Sequence, residues 1–102
     1  MIAVNTTFYV ESSVETEFLR WVRNDYLPSA TSLEGFGSPC LARLMLEPQD
    51  GMTGYAVQVC ARDAETAASW HDSEGARLRG ELSARFGQKV LFFTTYMEQL
   101  PL

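Results

Sequence analysis

Alternation of apolar and polar residues marks the start of the chain and a region near its middle. Residues 2–10 place apolar side chains on one parity and a mixed set on the other, namely Ala3, Asn5, Thr7 and Tyr9. Such alternation, with β-branched and aromatic residues, is typical of a β-strand. Residues 40–47 and 54–61 also resemble strands, and the turn signal Asp50-Gly51 lies between them. These two segments are predicted to form a β-hairpin with a loop longer than the tightest type.

A helical period replaces the alternation after the first strand. The apolar residues of segment 14–22 fall on one helical stripe, as expected for a helix that packs on a sheet. Ser12 followed by Glu15 fits a capping box, which predicts that the helix begins there. Pro28 disfavours helical geometry at the residue before it, so we expect the helix to end or kink at Leu27.

A second helix is predicted between the hairpin and the last strand. Asp63 is a suitable N-cap, and apolar residues then recur at helical spacing as far as Phe86. Interior glycines weaken a helix, so we expect a kink or break near residues 73–75, and Gly87 stands where a C-cap is expected. Residues 89–100 are predicted to form a strand with apolar residues on both parities, which is typical of a strand covered on both faces.

The order of elements, β-α-β-β-α-β, predicts an α+β protein of the ferredoxin-like type. Right-handed crossovers give a four-stranded antiparallel sheet of order 4-1-3-2 with both helices on one face. A chain of 102 residues has room for one hydrophobic core. Residues 1–102 are therefore expected to form a single domain.

Two helices shield one face of this sheet and leave the apolar residues on the other face without cover. Soluble monomers seldom expose an apolar area of that size, so we expect a homodimer that pairs its open sheet faces about a symmetry axis. Strand parity assigns five polar residues to that face: Asn5, Thr7, Tyr9, Arg43 and Gln58. Because buried polar groups need partners, these residues are candidate ligand-binding groups in a cavity between the sheets. A hydrogen-bonded network that fixes the dimer register is the alternative.

Charge and composition narrow the possible partners. The chain has a net charge of −5 and a pI of about 4.7, so it lacks the cationic footprint of a nucleic-acid-binding protein. No apolar run reaches the roughly 20 residues of a membrane span, and the N-terminus lacks signal-peptide features, so we expect a cytoplasmic protein. Two cysteines and one histidine are too few for a convincing metal site or disulfide framework, and we expect neither a metal nor a cofactor.

His71, the single histidine of the chain, is a weak candidate for a catalytic base. Its neighbour Asp72 is poorly placed to orient it, because adjacent residues on a helix point about 100° apart. A histidine on the helix surface is the simpler interpretation. The functional alternative is a base that reaches the mouth of the barrel where the second helix kinks.

Three segments, RWVRNDYLPS, GYAVQV and LSARFGQKVLFFTTYMEQL, resemble a bacterial family of similar length known by a domain-of-unknown-function label. The wider dimeric α+β barrel superfamily includes cofactor-independent monooxygenases, haem-degrading enzymes, small dehydratases and isomerases, and stress proteins. The resemblance implies a dimer with a cavity between the sheets, without a particular reaction. Members of the family often carry His and Arg where this chain has Tyr26 and Thr94.

Three functions are compatible with this interpretation. The first is a homodimeric module that binds a small, partly apolar molecule between its sheets. The second is a cofactor-independent oxygenase or isomerase that uses Tyr9, Gln58, Arg43 or His71 as polar anchors. The third is a structural or regulatory dimer with a filled core. A fold of this kind does not choose among them.

Overall fold

The computed structural model describes residues 1–46 and 50–102. Its strands are β1 (Ile2–Glu11), β2 (Phe36–Arg43), β3 (Met52–Ala61) and β4 (Val90–Glu98). Its α-helices are α1 (Glu15–Trp21), α2 (Leu27–Thr31), α3 (Ala64–Asp72) and α4 (Glu74–Phe86). The predicted order of elements is confirmed, and each of the two predicted helices is divided into two α-helices.

The four strands form one antiparallel sheet in the order β2-β3-β1-β4. This order is the predicted 4-1-3-2, and the ferredoxin-like fold is confirmed. The core lies between one face of the sheet and the helices, and its largest fully buried side chains are Trp21, Phe8, Phe18, Leu78 and Leu82. Aromatic rings dominate this layer, and the Phe8 and Phe18 ring centroids lie 5.0 Å apart.

The first helical segment differs from its prediction at both ends. The capping box does not form: a 3₁₀ turn occupies Ser12–Val14, and the Ser13 hydroxyl donates to the Glu11 carboxylate at 2.7 Å. A π-helical turn, Val22–Tyr26, follows α1 and leads directly into α2. Pro28 is the second residue of α2 and has no N–H to donate, and the Leu27 N–H before it bonds to the Val22 carbonyl oxygen, five residues back. The chain therefore changes helix type before the proline and does not leave helical geometry.

The second helical segment follows its prediction closely. The Asp63 carboxylate accepts a hydrogen bond of 2.8 Å from the Thr66 backbone N–H, which confirms the N-cap, and the bonds from Thr66 hold the pKa of Asp63 below its ordinary value. Ser73, with φ −112° and ψ −92°, separates α3 from α4, which confirms the break near residues 73–75. Gly87 ends α4 with a φ of +55°, as expected for a glycine C-cap.

The two glycines of α4 should respond to alanine in opposite directions. A Cβ at Gly75 would lie 2.9 Å from the Trp70 carbonyl oxygen, whereas a Cβ at Gly80 would meet no described atom within 4 Å. Gly80→Ala should raise the free energy of unfolding by up to about 1 kcal/mol, because alanine favours a helix. Gly75→Ala should lower it by about 1–3 kcal/mol, as overpacking does. Urea unfolding monitored by circular dichroism measures both, and a stabilised Gly75→Ala protein would contradict the tight contact.

The hairpin is shifted toward the N-terminus relative to its prediction. The first hairpin strand begins at Phe36, not Cys40, and includes a register irregularity between Gly37 and Cys40. Ser38 adopts a positive φ of 52° there, a conformation that alternation cannot reveal. Residues 47–49, which include the predicted end of this strand and the first part of its loop, lie outside the described residues. Asp50 and Gly51 have φ angles of +53° and +71°, as the turn signal predicts.

Candidate functional site

The face of the sheet opposite the helices carries large apolar side chains in contact with solvent. Leu91, Phe93 and Met97 of β4 are 52%, 54% and 42% exposed, and Tyr9 of β1 is 37% exposed. We call this surface the open sheet face, and it comprises Ala3, Asn5, Thr7, Tyr9, Cys40, Ala42, Ala56, Gln58, Cys60, Leu91, Phe93, Thr95 and Met97. The predicted excess of apolar residues on β4 is therefore present, since Val90 of the same strand is buried against the helices.

A line of polar side chains crosses the open sheet face from one edge strand to the other. Cys40 is opposite Gln58, Gln58 is opposite Asn5, and Asn5 is opposite Thr95. Directly opposed residues of an antiparallel pair point to the same face, so these four form one row, which we call the polar row. Asn5 Nδ2 also donates to Thr7 Oγ1 at 3.3 Å. Apolar β4 residues lie on both sides of the row, at Phe93 and Met97.

Four of the five predicted ligand-binding residues lie together on the open sheet face: Asn5, Thr7, Tyr9 and Gln58. The placement of Arg43 on this face is wrong. Arg43 is opposite Tyr55, a buried residue of the helix-covered face, and its guanidinium carbon lies 5.7 Å from the centre of the Tyr55 ring. The physical reason is the register of β2, which places Cys40 and Ala42 on the open sheet face and Arg43 on the opposite parity.

His71 is half-buried on the helix side of the sheet and has partners from two other elements. Its Nδ1 lies 2.5 Å from the Tyr96 hydroxyl of β4 and 3.4 Å from Arg79 Nη1 of α4. The Arg79 Nη2 group also donates to the His71 carbonyl oxygen at 2.9 Å. The expectation that Asp72 does not orient the ring agrees with this geometry, in which Tyr96 and Arg79 orient it.

A second polar group lies inside the core, where helix and sheet meet. The Thr6 hydroxyl lies 3.3 Å from the Tyr26 hydroxyl and 3.0 Å from the Thr94 hydroxyl. A cavity of about 10 Å³ adjoins them, close to the smallest volume that holds a water molecule. Burial raises the pKa of Tyr26 above its ordinary value, more than the hydrogen bond with Thr6 lowers it. The Thr6 hydroxyl thus connects Tyr26 of the helical segment with Thr94 of β4.

Tyr96 and Arg79 are the site residues that the sequence did not reveal. Tyr96 shares the helix-facing parity of β4 with Val90 and Phe92, but both parities of this strand carry apolar residues, so alternation did not show which of them faces the helices. Its contact with His71 could not be derived, because it depends on how far α3 lies from the sheet edge. The sequence does carry one signal of this site, which is a helical face of small residues that ends at the histidine: Ala64-x-x-Ala67-Ala68-x-x-His71.

The two cysteines are not directly opposed in the hairpin. Cys40 is opposite Gln58 and Cys60 is opposite Gly37, and both are free thiols. Within residues 1–46 and 50–102, no group of three or more His, Cys, Asp or Glu side chains could hold a metal ion. Among the helices in these same ranges, none has the length and apolar character needed to cross a membrane.

Comparison with known proteins confirms the resemblance that the sequence suggested. The family model described as Domain of unknown function (DUF4286) matches residues 1–100. No curated protein matches the sequence at a significant level.

Solved structures with the same fold cover nearly the whole chain at low identity. A Deinococcus radiodurans protein, provisionally described as an antibiotic biosynthesis monooxygenase, superimposes with a TM-score of 0.75 at 11% identity, covering 100% of this chain and 95% of that one. HapK from Hahella chejuensis gives a TM-score of 0.70 at 16% identity, covering 98% and 93%. An ethyl tert-butyl ether D (EthD) family protein from Bacillus halodurans gives 0.65 at 15% identity, covering 98% and 100%. At these identities the comparisons establish the fold alone.

Proposed function

We propose that this chain, which belongs to the DUF4286 family, forms a homodimer that binds a small, partly apolar molecule between the sheets of its two subunits. The observation that carries the proposal is the composition of the open sheet face, where exposed apolar side chains lie beside a row of polar ones. Apolar contacts favour association with a second copy, and the polar row requires partners once water has been displaced.

A second copy of the chain is the proposed cover because the face can pair with itself. The apolar side chains of β4 lie near one edge of the open sheet face. A twofold axis would place the β4 side chains of each subunit against β1 and β3 of the other subunit. Strands of 8–10 residues at about 3.3 Å per residue and 4.8 Å apart give a four-stranded face of roughly 550 Å². A stable interface buries about 800 Å² per partner, so the two areas are of the same order.

The polar row supports a bound molecule in preference to a dry interface. Asn5 and Gln58 each carry an amide with two donors and an acceptor, and both are half-buried before any partner binds. Burying such groups without partners costs about 1–3 kcal/mol each. A small molecule with a few polar groups on an apolar body would satisfy the amides and contact Phe93 and Met97 at the same time.

Native mass spectrometry of the purified protein tests both parts of the proposal. We expect a dimer whose mass exceeds twice the chain mass by that of a small molecule, which denaturation releases. Gln58→Met should keep the dimer and lose the excess mass, because methionine retains the length of glutamine but cannot form its hydrogen bonds. Gln88→Met, at an exposed position beyond α4, is the matched control and should retain the molecule.

Two results would count against the proposal in different ways. A monomer at micromolar concentration would contradict the homodimer. A second contrary result would be a dimer that has no excess mass and that Gln58→Met makes more stable. In that case the polar row would bind no molecule, and the protein would be the structural dimer that the sequence also allows.

A further inference from the structure

We propose that a cleft on the helix side of the sheet is a second binding site, for a small apolar molecule held through one uncharged oxygen acceptor such as a ketone or ester carbonyl. The cleft has a volume of about 380 Å³, within the range of small-molecule sites. It lies between α3 and the C-terminal half of β4. The sheet separates it from the open sheet face, so it does not depend on the dimer.

The cleft exists because α3 presents its smallest side chains to the edge of the sheet. Ala64, Ala67 and Ala68 line it together with Ile2 of β1. Positions 64, 67, 68 and 71 share one helical face because neighbours on a helix surface are three or four residues apart. The last strand, β4, is at the edge of the sheet, so these short side chains leave an apolar trough beside it that ends at His71.

His71 forms the polar end of the trough and is fixed before any ligand arrives. Tyr96 of β4 contacts its Nδ1, and the two rings meet edge to face with centroids 5.6 Å apart. Arg79 of α4 holds its backbone carbonyl oxygen at 2.9 Å. A binding group held in this way loses little conformational freedom when a ligand binds, which favours affinity.

Arg79 also determines which ring nitrogen of His71 carries the proton. Its Nη1 lies 3.4 Å from His71 Nδ1, and a guanidinium can only donate, so Nδ1 is an acceptor for both Arg79 and the Tyr96 hydroxyl. A neutral imidazole whose Nδ1 accepts carries its proton on Nε2. Within the described part of the chain, Nε2 makes no hydrogen bond. It is therefore an N–H donor available to the oxygen of a ligand.

The charges around the cleft favour an uncharged ligand. Asp72 and Glu98 line the cleft, and the chain has a net charge of −5, so a carboxylate or phosphate would be repelled. At the polar end, the Arg79 guanidinium and the Nε2–H donor of His71 both oppose an ammonium group. Burial raises the pKa of Tyr96 above its ordinary value, more than the Arg79 guanidinium lowers it, so the hydroxyl remains protonated at neutral pH. The combination selects an apolar body with a neutral acceptor.

Nuclear magnetic resonance of the histidine ring tests this assignment directly. The chain has one histidine, so the ring signals of ¹⁵N-labelled protein belong to His71 without further assignment. The full chain is titrated with acetophenone, and with benzoate and benzylammonium as charged ligands on the same ring. We expect the Nε2–H tautomer, saturable shifts of the His71 signals with acetophenone, and at least tenfold weaker binding of both charged probes.

Two alanine positions supply matched variants. Ala68→Leu should fill the cleft and weaken acetophenone binding at least tenfold, because leucine extends into the trough. Ala84→Leu makes the same change at an exposed position of α4 outside the cleft and should bind as the wild type does. Unshifted His71 signals, an Nδ1–H tautomer, or wild-type affinity in Ala68→Leu would overturn the site. Equal binding of either charged probe would overturn the assignment of an uncharged ligand.

Discussion

Phe93→Asp is expected to convert the homodimer into monomers. Phe93 is 54% exposed on the open sheet face, opposite Thr7 of the central strand β1, so the proposed interface would bury it in both subunits. Losing a buried phenylalanine costs roughly 1.5–3 kcal/mol of association free energy, and in a symmetric dimer the loss occurs once in each subunit. A total of at least about 3 kcal/mol corresponds to a dissociation constant more than 100-fold higher. Sedimentation velocity over a range of protein concentrations measures the change.

An aspartate at an exposed apolar position elsewhere controls for the added charge. Met45 is fully exposed and does not belong to the open sheet face, so Met45→Asp should leave the dissociation constant unchanged. If Phe93→Asp and wild type dimerise equally, the open sheet face is not the interface. Parallel loss of the dimer in Met45→Asp would trace the effect to net charge.

The faces of β1 and β3 could be derived from the sequence because the alternation of apolar and polar residues in these two strands is unbroken. A side chain's parity then fixes its face, which is why Asn5, Thr7 and Gln58 were assigned to the open sheet face and lie there. The second strand resisted the same argument. From Cys40 to Arg43 its pairing with β3 is regular, but Cys40 and Ala42 on one parity and Leu41 on the other are all apolar. Alternation therefore did not show which parity faces the helices, and Arg43 was assigned to the wrong face.

The contacts of His71 could not be predicted from the periodicity of the sequence. The position of His71 beside the apolar stripe of its helix follows from local pattern, whereas the structure shows that Tyr96 lies on the helix side of the sheet. The two residues lie 25 positions apart in the sequence. The break at Ser73 separates α3 from α4, and Arg79 of α4 reaches back across it to the His71 carbonyl oxygen. Long-range packing decides such contacts, and a single sequence carries no periodic signal for it.

Phe18→Ala is expected to cause the largest loss of stability of any substitution considered. Phe18 is fully buried, and its ring contacts Phe8, Tyr55 and Phe86, with centroids 5.0, 5.7 and 6.2 Å away. It therefore joins α1 to two strands and to α4. Truncation of a buried phenylalanine to alanine costs about 3–5 kcal/mol, a large part of the roughly 5–15 kcal/mol that stabilises a typical domain. Urea unfolding monitored by circular dichroism measures this loss.

The same truncation at Phe93 is the matched control, and protein concentration distinguishes the two positions. Phe18 belongs to the core of one subunit, so the loss in Phe18→Ala should be the same at low and high protein concentration. Phe93→Ala should cost little where the chain is monomeric and more where it is dimeric, because association stabilises the folded state by mass action. A loss below about 1 kcal/mol for Phe18→Ala would contradict the role given to this ring, since buried aromatic truncations cost several times that amount. A loss for Phe93→Ala that does not change with concentration would mean that Phe93 acts within the subunit and not between subunits.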